Sequence, residues 1–114
     1  EGRLDSMAIR VPSTNASMTD AVLAVRRPTD VEEVNAALEQ AAKSAPLEGI
    51  LGFETRPLVS SDFVSDPRSS VVDAQCTRVT DETLVKVMAW YDSEYGYANR
   101  LVDLLLRIAA TMRS

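Results

Sequence analysis

Residues Leu84–Arg100, reading LVKVMAWYDSEYGYANR, constrain this chain more than any other stretch. Leu84–Tyr91 alternates as a buried strand does, and an acidic, aromatic and glycine turn follows it directly. A helix from about Glu94 to Met112 then carries Tyr97, Leu101, Leu104, Leu105, Ile108 and Met112 as a broad apolar stripe. Val102 and Leu106 widen the stripe beyond what one neighbouring surface requires, so the helix is expected to pack against more than its own sheet.

The rest of the chain supplies that sheet. Ser6–Val11 reads as a short strand, and Pro12 through Ser17 as turn chemistry. Ala21, Leu23 and Val25 alternate with Val22, Ala24 and Arg26, giving a second strand that Pro28 stops. Thr29 and Glu32 have the spacing of a capping box. Behind it Val31, Val34, Leu38, Ala41, Ala42 and Ala45 follow helical spacing, ended by Pro46 and Gly49. Further strands are expected around Ile50–Phe53, Leu58–Ser60 and Ser70–Cys76. Ser65-Asp66-Pro67-Arg68 and Thr80-Asp81 read as turns. Strands on short turns, with one helix between them and one after, predict an α+β fold with a largely antiparallel sheet, one covering helix and a long C-terminal helix.

Composition excludes several functions. At 114 residues the chain is one domain or part of one. Its net charge of −5 argues against a sequence-independent grip on nucleic acid. No apolar run approaches the ~20 residues needed to span a bilayer. The chain opens Glu1-Gly2-Arg3 with neither Met nor an apolar stretch, which gives the expectation of a piece cut from something longer, without a signal peptide. Cys76 is the single cysteine, so no intrachain disulfide can form, and a reducing, cytoplasmic compartment fits. Histidine is absent, which removes the usual general base for a cysteine or serine nucleophile. With one Cys and no His, no transition-metal site is expected either.

Few single residues invite a chemical role. Arg10 falls within an apolar strand, where a charge needs a partner, either a neighbouring acid or a bound anion. Ser93 stands where a helix begins, the position of an N-cap. Glu94 suits the first turn through the helix dipole. Cys76 ends an apparently buried strand without a cationic neighbour and reads as an inert core thiol. Asp66-Pro67-Arg68 reads as a solvated turn, with a subunit interface as the other reading.

Four blocks, in order, tie the chain to a known family. Gly2–Pro12 (GRLDSMAIRVP) resembles the GKLxGMAxRVP of phosphorylating glyceraldehyde-3-phosphate dehydrogenases. Pro57–Phe63 (PLVSSDF) and Asp66–Ser70 (DPRSS) are similar to the same words in that family, and Leu84–Arg100 to its LVKVxxWYDNEWGYSNR. The blocks span nearly the whole chain. The resemblance implies that residues 1–114 form the C-terminal part of the catalytic domain, with the dinucleotide-binding domain and the Ser-Cys-Thr nucleophile segment upstream. In agreement, the chain contains no G-x-G-x-x-G.

The same resemblance implies chemistry. The parent enzyme forms a thiohemiacetal at its cysteine, passes hydride to NAD or NADP, and releases an acyl phosphate after phosphate attack. No catalytic residue falls in this chain, so the isolated chain is expected to be inactive. Arg10 corresponds to the arginine that holds substrate or inorganic phosphate, a task for which the guanidinium fork is suited. Tyr97 corresponds to the tyrosine beside the nicotinamide. Ser93 replaces the asparagine that holds the carboxamide, and is shorter by an amide group. Tyr95 stands in for a tryptophan. The implied partners are a phosphorylated aldose, inorganic phosphate and further copies of the chain in a tetramer. Erythrose-4-phosphate dehydrogenase shares these blocks, and a stand-alone, non-catalytic α+β module that binds an anion or a partner is the rival from another class.

Overall fold

A computed structural model describes residues 4–112, so Gly2 and Arg3 of the first block lie outside the described residues. The elements run β1 (Ala16–Ala24), α1 (Val31–Ala42), β2 (Leu51–Glu54), β3 (Ser70–Asp73), β4 (Arg78–Thr80), β5 (Leu84–Asp92) and α2 (Ser93–Thr111). Short 3-10 turns occupy Ser60–Phe63 and Ala74–Cys76. The fold is α+β, as the alternation of strands and helices predicts.

β5 organises the sheet. Its whole length pairs antiparallel with β1, from Ala16 opposite Asp92 to Ala24 opposite Leu84. On its other side it pairs antiparallel with β4 near its start and with β3 near its end. β2 joins β3 in parallel, so the order is β1-β5-β3-β2 and three of the four pairings are antiparallel. A strand that carries core on both of its faces needs apolar residues at successive positions, which LVKVMAWY supplies.

Register divides the core between two faces. Val71 lies opposite Trp90, so both point to one face, where Phe63 stacks on Trp90 at 5.6 Å between ring centroids. Trp90 Nε1 donates to Asp73 Oδ2 at 3.2 Å, which satisfies the indole without leaving that face. Val72 and Ala89, also opposite one another, point to the other face, as does Val85. Val71, Val72, Phe63, Val85 and Ala89 are all buried. α1 packs against β2 and is tied down by Asn35, which donates to Ala74 O at 3.1 Å and accepts from the buried Thr77 hydroxyl at 2.8 Å.

Several local expectations give way. Ser6–Val11 forms no strand. Met7 and Ile9 are 84% and 76% exposed, because the segment pairs with neither β1 nor β2, whose outer edges stay open, and an extended segment without ladder hydrogen bonds is not a strand. Arg10 therefore lies on an exposed irregular segment and not inside an apolar strand. Leu58–Ser60 is likewise not a strand, since Asp62 draws the Val59 N–H into the 3-10 turn at 2.8 Å. Ser70–Cys76 is strand only to Asp73, whose side chain then accepts from Gln75 N at 3.2 Å and turns the backbone. The Thr29/Glu32 capping box is not formed. Asp30 caps α1 by accepting from Glu33 N at 2.8 Å, while Thr29 and Arg27 both bond the Glu33 carboxylate. α1 also stops earlier than Ala45: Lys43 is its C-cap, with Ser44 Oγ donating to Gln40 O at 2.8 Å.

Candidate functional site

The site begins where β5 becomes α2. Ser93 is the first helical residue and Asp92, not Ser93, is the N-cap. Asp92 Oδ1 accepts from Glu94 N at 3.1 Å and from Tyr95 N at 2.9 Å, while Oδ2 accepts from Ser65 N at 2.8 Å. One carboxylate thus ties a helix start to a loop 27 residues earlier in the chain. The cap falls one residue earlier because Asp92 keeps the extended backbone of an N-cap, φ −92° and ψ 110°, while Ser93 is already helical. Asp92 is buried, yet the amides of Tyr95 and then Ser65 hold its carboxyl below the ordinary carboxylate range, outweighing the burial that would raise it.

The loop is itself rigidly held. Ser65 adopts φ 64°, a left-handed conformation that costs a non-glycine residue about 1–2 kcal/mol. Arg68 forks onto Asp66, with Nη2–Oδ2 at 2.5 Å and Nε–Oδ1 at 2.9 Å. That hydrogen-bonded pair lowers the Asp66 pKa and raises that of Arg68. The Arg68 guanidinium lies over Gly52 of β2, where an added Cβ would come within 2.5 Å of Nη1. Its carbonyl lies against Gly96, where a Cβ would come within 2.9 Å of the oxygen. Asp66-Pro67-Arg68 is thus a turn only partly open to solvent: Pro67 is exposed, while Asp66 and Arg68 are half-buried. It is packed between the sheet and the first turn of α2.

Gly96 marks the buried side of that turn, and Ser93 and Tyr97, one turn apart, share the exposed side. Tyr97 is 65% exposed, presenting its ring and hydroxyl to solvent. The Ser93 hydroxyl donates to Glu94 Oε2 at 3.1 Å, leaving its oxygen free to accept. Arg10 makes no hydrogen bond or ion pair among the described residues, so neither an acid partner nor a contact to Ser93 or Tyr97 appears for it. The structure brings Ser93 and Tyr97 together and leaves Arg10 on the separate N-terminal segment.

Cys76 lies in the 3-10 turn after β3 and is partly exposed, which corrects the buried-strand expectation because Asp73 ends the strand three residues before it. Desolvation, helped by Asp73, pushes its thiol pKa up, the opposite of an activated nucleophile. A groove of about 260 Å³ between α1 and β2 is lined by Glu39, Lys43, Gly52 and Arg68, whose charges are paired internally. Among the described residues no cluster of three or more His, Cys, Asp and Glu side chains is placed to hold a metal ion. Nor is any helix among them long and apolar enough to cross a membrane.

The grouping of Asp92, Ser65, Arg68 and Gly96 is what sequence reading missed. Its signal was present: a glycine inside a helix costs about 0.5–1 kcal/mol relative to alanine, so Gly96 at the fourth helical position calls for a close neighbour.

Comparison with known proteins agrees with these blocks. Residues 1–93 match the family model for the glyceraldehyde 3-phosphate dehydrogenase C-terminal domain. Glyceraldehyde-3-phosphate dehydrogenase 3 of Nostoc sp. is 56% identical over 113 residues, covering 99% of this chain and 34% of the relative. The Cereibacter sphaeroides glyceraldehyde-3-phosphate dehydrogenase is 52% identical over 103 residues, covering 90% of this chain and 31% of its own length. That of Zymomonas mobilis is 44% identical over 112 residues, covering 98% and 33%. The chain spans about a third of the length of the curated relatives it matches.

Proposed function

We propose a function from one premise, the family: this chain belongs to the glyceraldehyde 3-phosphate dehydrogenase C-terminal domain family. In our reading it is the second part of the catalytic domain of an oxidoreductase. That enzyme oxidises glyceraldehyde 3-phosphate, with NAD or NADP and inorganic phosphate, to an acyl phosphate. The full polypeptide works in the cytoplasm as a homotetramer. The dinucleotide-binding domain and the nucleophilic cysteine belong to the part of the enzyme outside these residues.

The observation that carries the reading is the placement of Ser93 and Tyr97, one turn apart and both exposed, on a turn packed against Arg68 at Gly96. When bound, the nicotinamide supplies the hydride acceptor. The chain's own contribution is a wall for it. The Tyr97 ring offers a flat apolar face, and the Ser93 hydroxyl offers a donor and an acceptor to a carboxamide. Arg10, exposed and without an ion-pair partner among the described residues, has its guanidinium available for phosphate oxygens.

The test is Arg10→Ala in the full-length enzyme. Losing a charge-assisted phosphate contact costs about 1.5–3 kcal/mol. The substitution should weaken use of phosphate and phosphorylated aldehyde roughly ten- to a hundredfold, with cofactor affinity nearly unchanged. Equal losses for phosphorylated and non-phosphorylated aldehydes would remove Arg10 from the phosphate site.

A further inference from the structure

The first turn of α2 is held by the Asp92 cap at its start and by the close approach of Gly96 to Arg68, while Ser93 and Tyr97 stay exposed. Asp92 accepts from the amides of the helix's second and third residues, Glu94 and Tyr95, at 3.1 and 2.9 Å, and from Ser65 N at 2.8 Å. Gly96 lies flush against the Arg68 carbonyl, with no room for a methyl group. Arg68 in turn is fixed by Asp66 and by its seat over Gly52. The free side carries Ser93 and Tyr97. A helix terminus ordinarily frays, and a capping residue that bonds only its own helix leaves the terminus free to swing as a unit. Here the cap also holds a loop that is anchored to the opposite edge of the sheet through β2.

We propose that Asp92 is a positioning residue for cofactor use: by joining the α2 N-terminus to the Ser65–Arg68 loop, it fixes the direction in which Ser93 and Tyr97 face the nicotinamide. This rests on the reading of Ser93 and Tyr97 given above. Both oxygens of the Asp92 carboxylate are taken up by backbone amides of the helix and the loop. Its contribution is the pre-set orientation of a wall whose contacts lose strength quickly when misplaced.

The experiment uses the full-length enzyme with Asp92→Ser and Asp92→Asn. Serine and asparagine are both strong N-caps, so the helix start is retained. Serine has one oxygen where the carboxylate has two, and asparagine turns an amide donor towards the Ser65 N–H, so each loses the bond to the loop. The expected result is a roughly three- to tenfold rise in KM for the cofactor, with KM for phosphate unchanged. In amide exchange the Ser65 N–H should lose protection in both variants. Tyr97→Ala is run beside them and should also raise the cofactor KM. Combined with Asp92→Ser it should give less than the product of the two effects, as residues acting through one contact do.

Folded Asp92 variants with an unchanged cofactor KM, while Tyr97→Ala still raises it, would overturn the positioning role and leave the cofactor wall standing. No change from Tyr97→Ala would sink both, and would locate the failure in the cofactor reading. Equal rises for cofactor and phosphate, or an Asp92→Ser enzyme that does not fold, would make Asp92 a residue of general stability and overturn the proposal.

Discussion

Ser93 is the residue at which the strongest motif departs from its family pattern. Asp92 already caps the helix, so the Ser93 side chain is released from structural duty and bonds only the neighbouring Glu94. Ser93→Asn should therefore leave stability nearly unchanged. If Ser93 borders the carboxamide, the longer amide should strengthen cofactor binding by about one hydrogen bond, ~0.5–1.5 kcal/mol or roughly two- to tenfold. Titration of the full-length enzyme with cofactor reads this directly, and identical affinity would withdraw Ser93 from the wall. Cys76 gives a second residue-scale outcome. With its thiol pKa raised by burial and by Asp73, it should alkylate more slowly at neutral pH than the same thiol in the unfolded chain. Iodoacetamide kinetics on this chain, native against denatured, checks the difference. Both side-chain types and their spacing were readable in the sequence. Which of two adjacent residues caps the helix was not, because that depends on the Ser65 amide, brought from 27 residues away only by the fold.

At the scale of elements, legibility followed how locally each one is determined. β5 and α2 match their expected bounds within about a residue, since alternation and apolar spacing are written along their own length. Ser6–Val11 has the same strand-like composition but pairs with neither open edge of the sheet, and pairing is the part of a strand that sequence does not carry. β4 is short and follows directly on a 3-10 turn, so three residues of Arg-Val-Thr had too little pattern to register. The Phe63–Trp90 stack joins the 3-10 turn of Ser60–Phe63 to β5, and Phe63 is 2% exposed. Phe63→Ala should cost about 3–5 kcal/mol. That is a large share of the ~5–15 kcal/mol that holds a domain together. Trp90 is the only tryptophan, so its emission in a denaturant titration reports the loss cleanly. The β5–α2 junction also has a pH signature. The Asp92 carboxyl sits lower in the folded chain than in the unfolded one, chiefly through the Tyr95 and Ser65 amides, so its stabilising effect is complete above the unfolded value, about 3.9. It is lost as pH falls through the folded value. Thermal melts should show the native chain more stable than Asp92→Asn at pH 7, with the gap closing below about pH 4.

The whole molecule is less compact than its length allows. Its radius of gyration is 16.1 Å, against about 13 Å for a compact chain of this size. The segment before β1 is irregular and exposed, and α2 is barely packed: Gly96 is its only buried residue, while Leu104, Leu105, Leu106 and Ile108 are all exposed, Leu105 at 66%. The wide apolar stripe was legible from spacing alone, but the expected packing was not found: among the described residues neither the sheet nor any other element covers Leu101, Leu104, Leu105 or Ile108. Arg100 points the same way. Its Nη2 pairs with Asp103 at 2.8 Å, but Nε and Nη1 are buried without a hydrogen-bond partner, a state that native proteins keep rare. A solvated helix with this much exposed leucine is driven to bury it, at roughly 25 cal/mol per Å² of apolar surface removed from water. The isolated 114-residue chain should therefore self-associate at tens of micromolar in sedimentation velocity. Leu105→Lys should shift it towards monomer without loss of secondary structure, because a side chain so exposed contributes little to the fold of one copy. A sharply monomeric native chain at that concentration would mean that the α2 stripe is tolerated in water. The tetramer we propose for the full polypeptide would then have to be held by other surfaces.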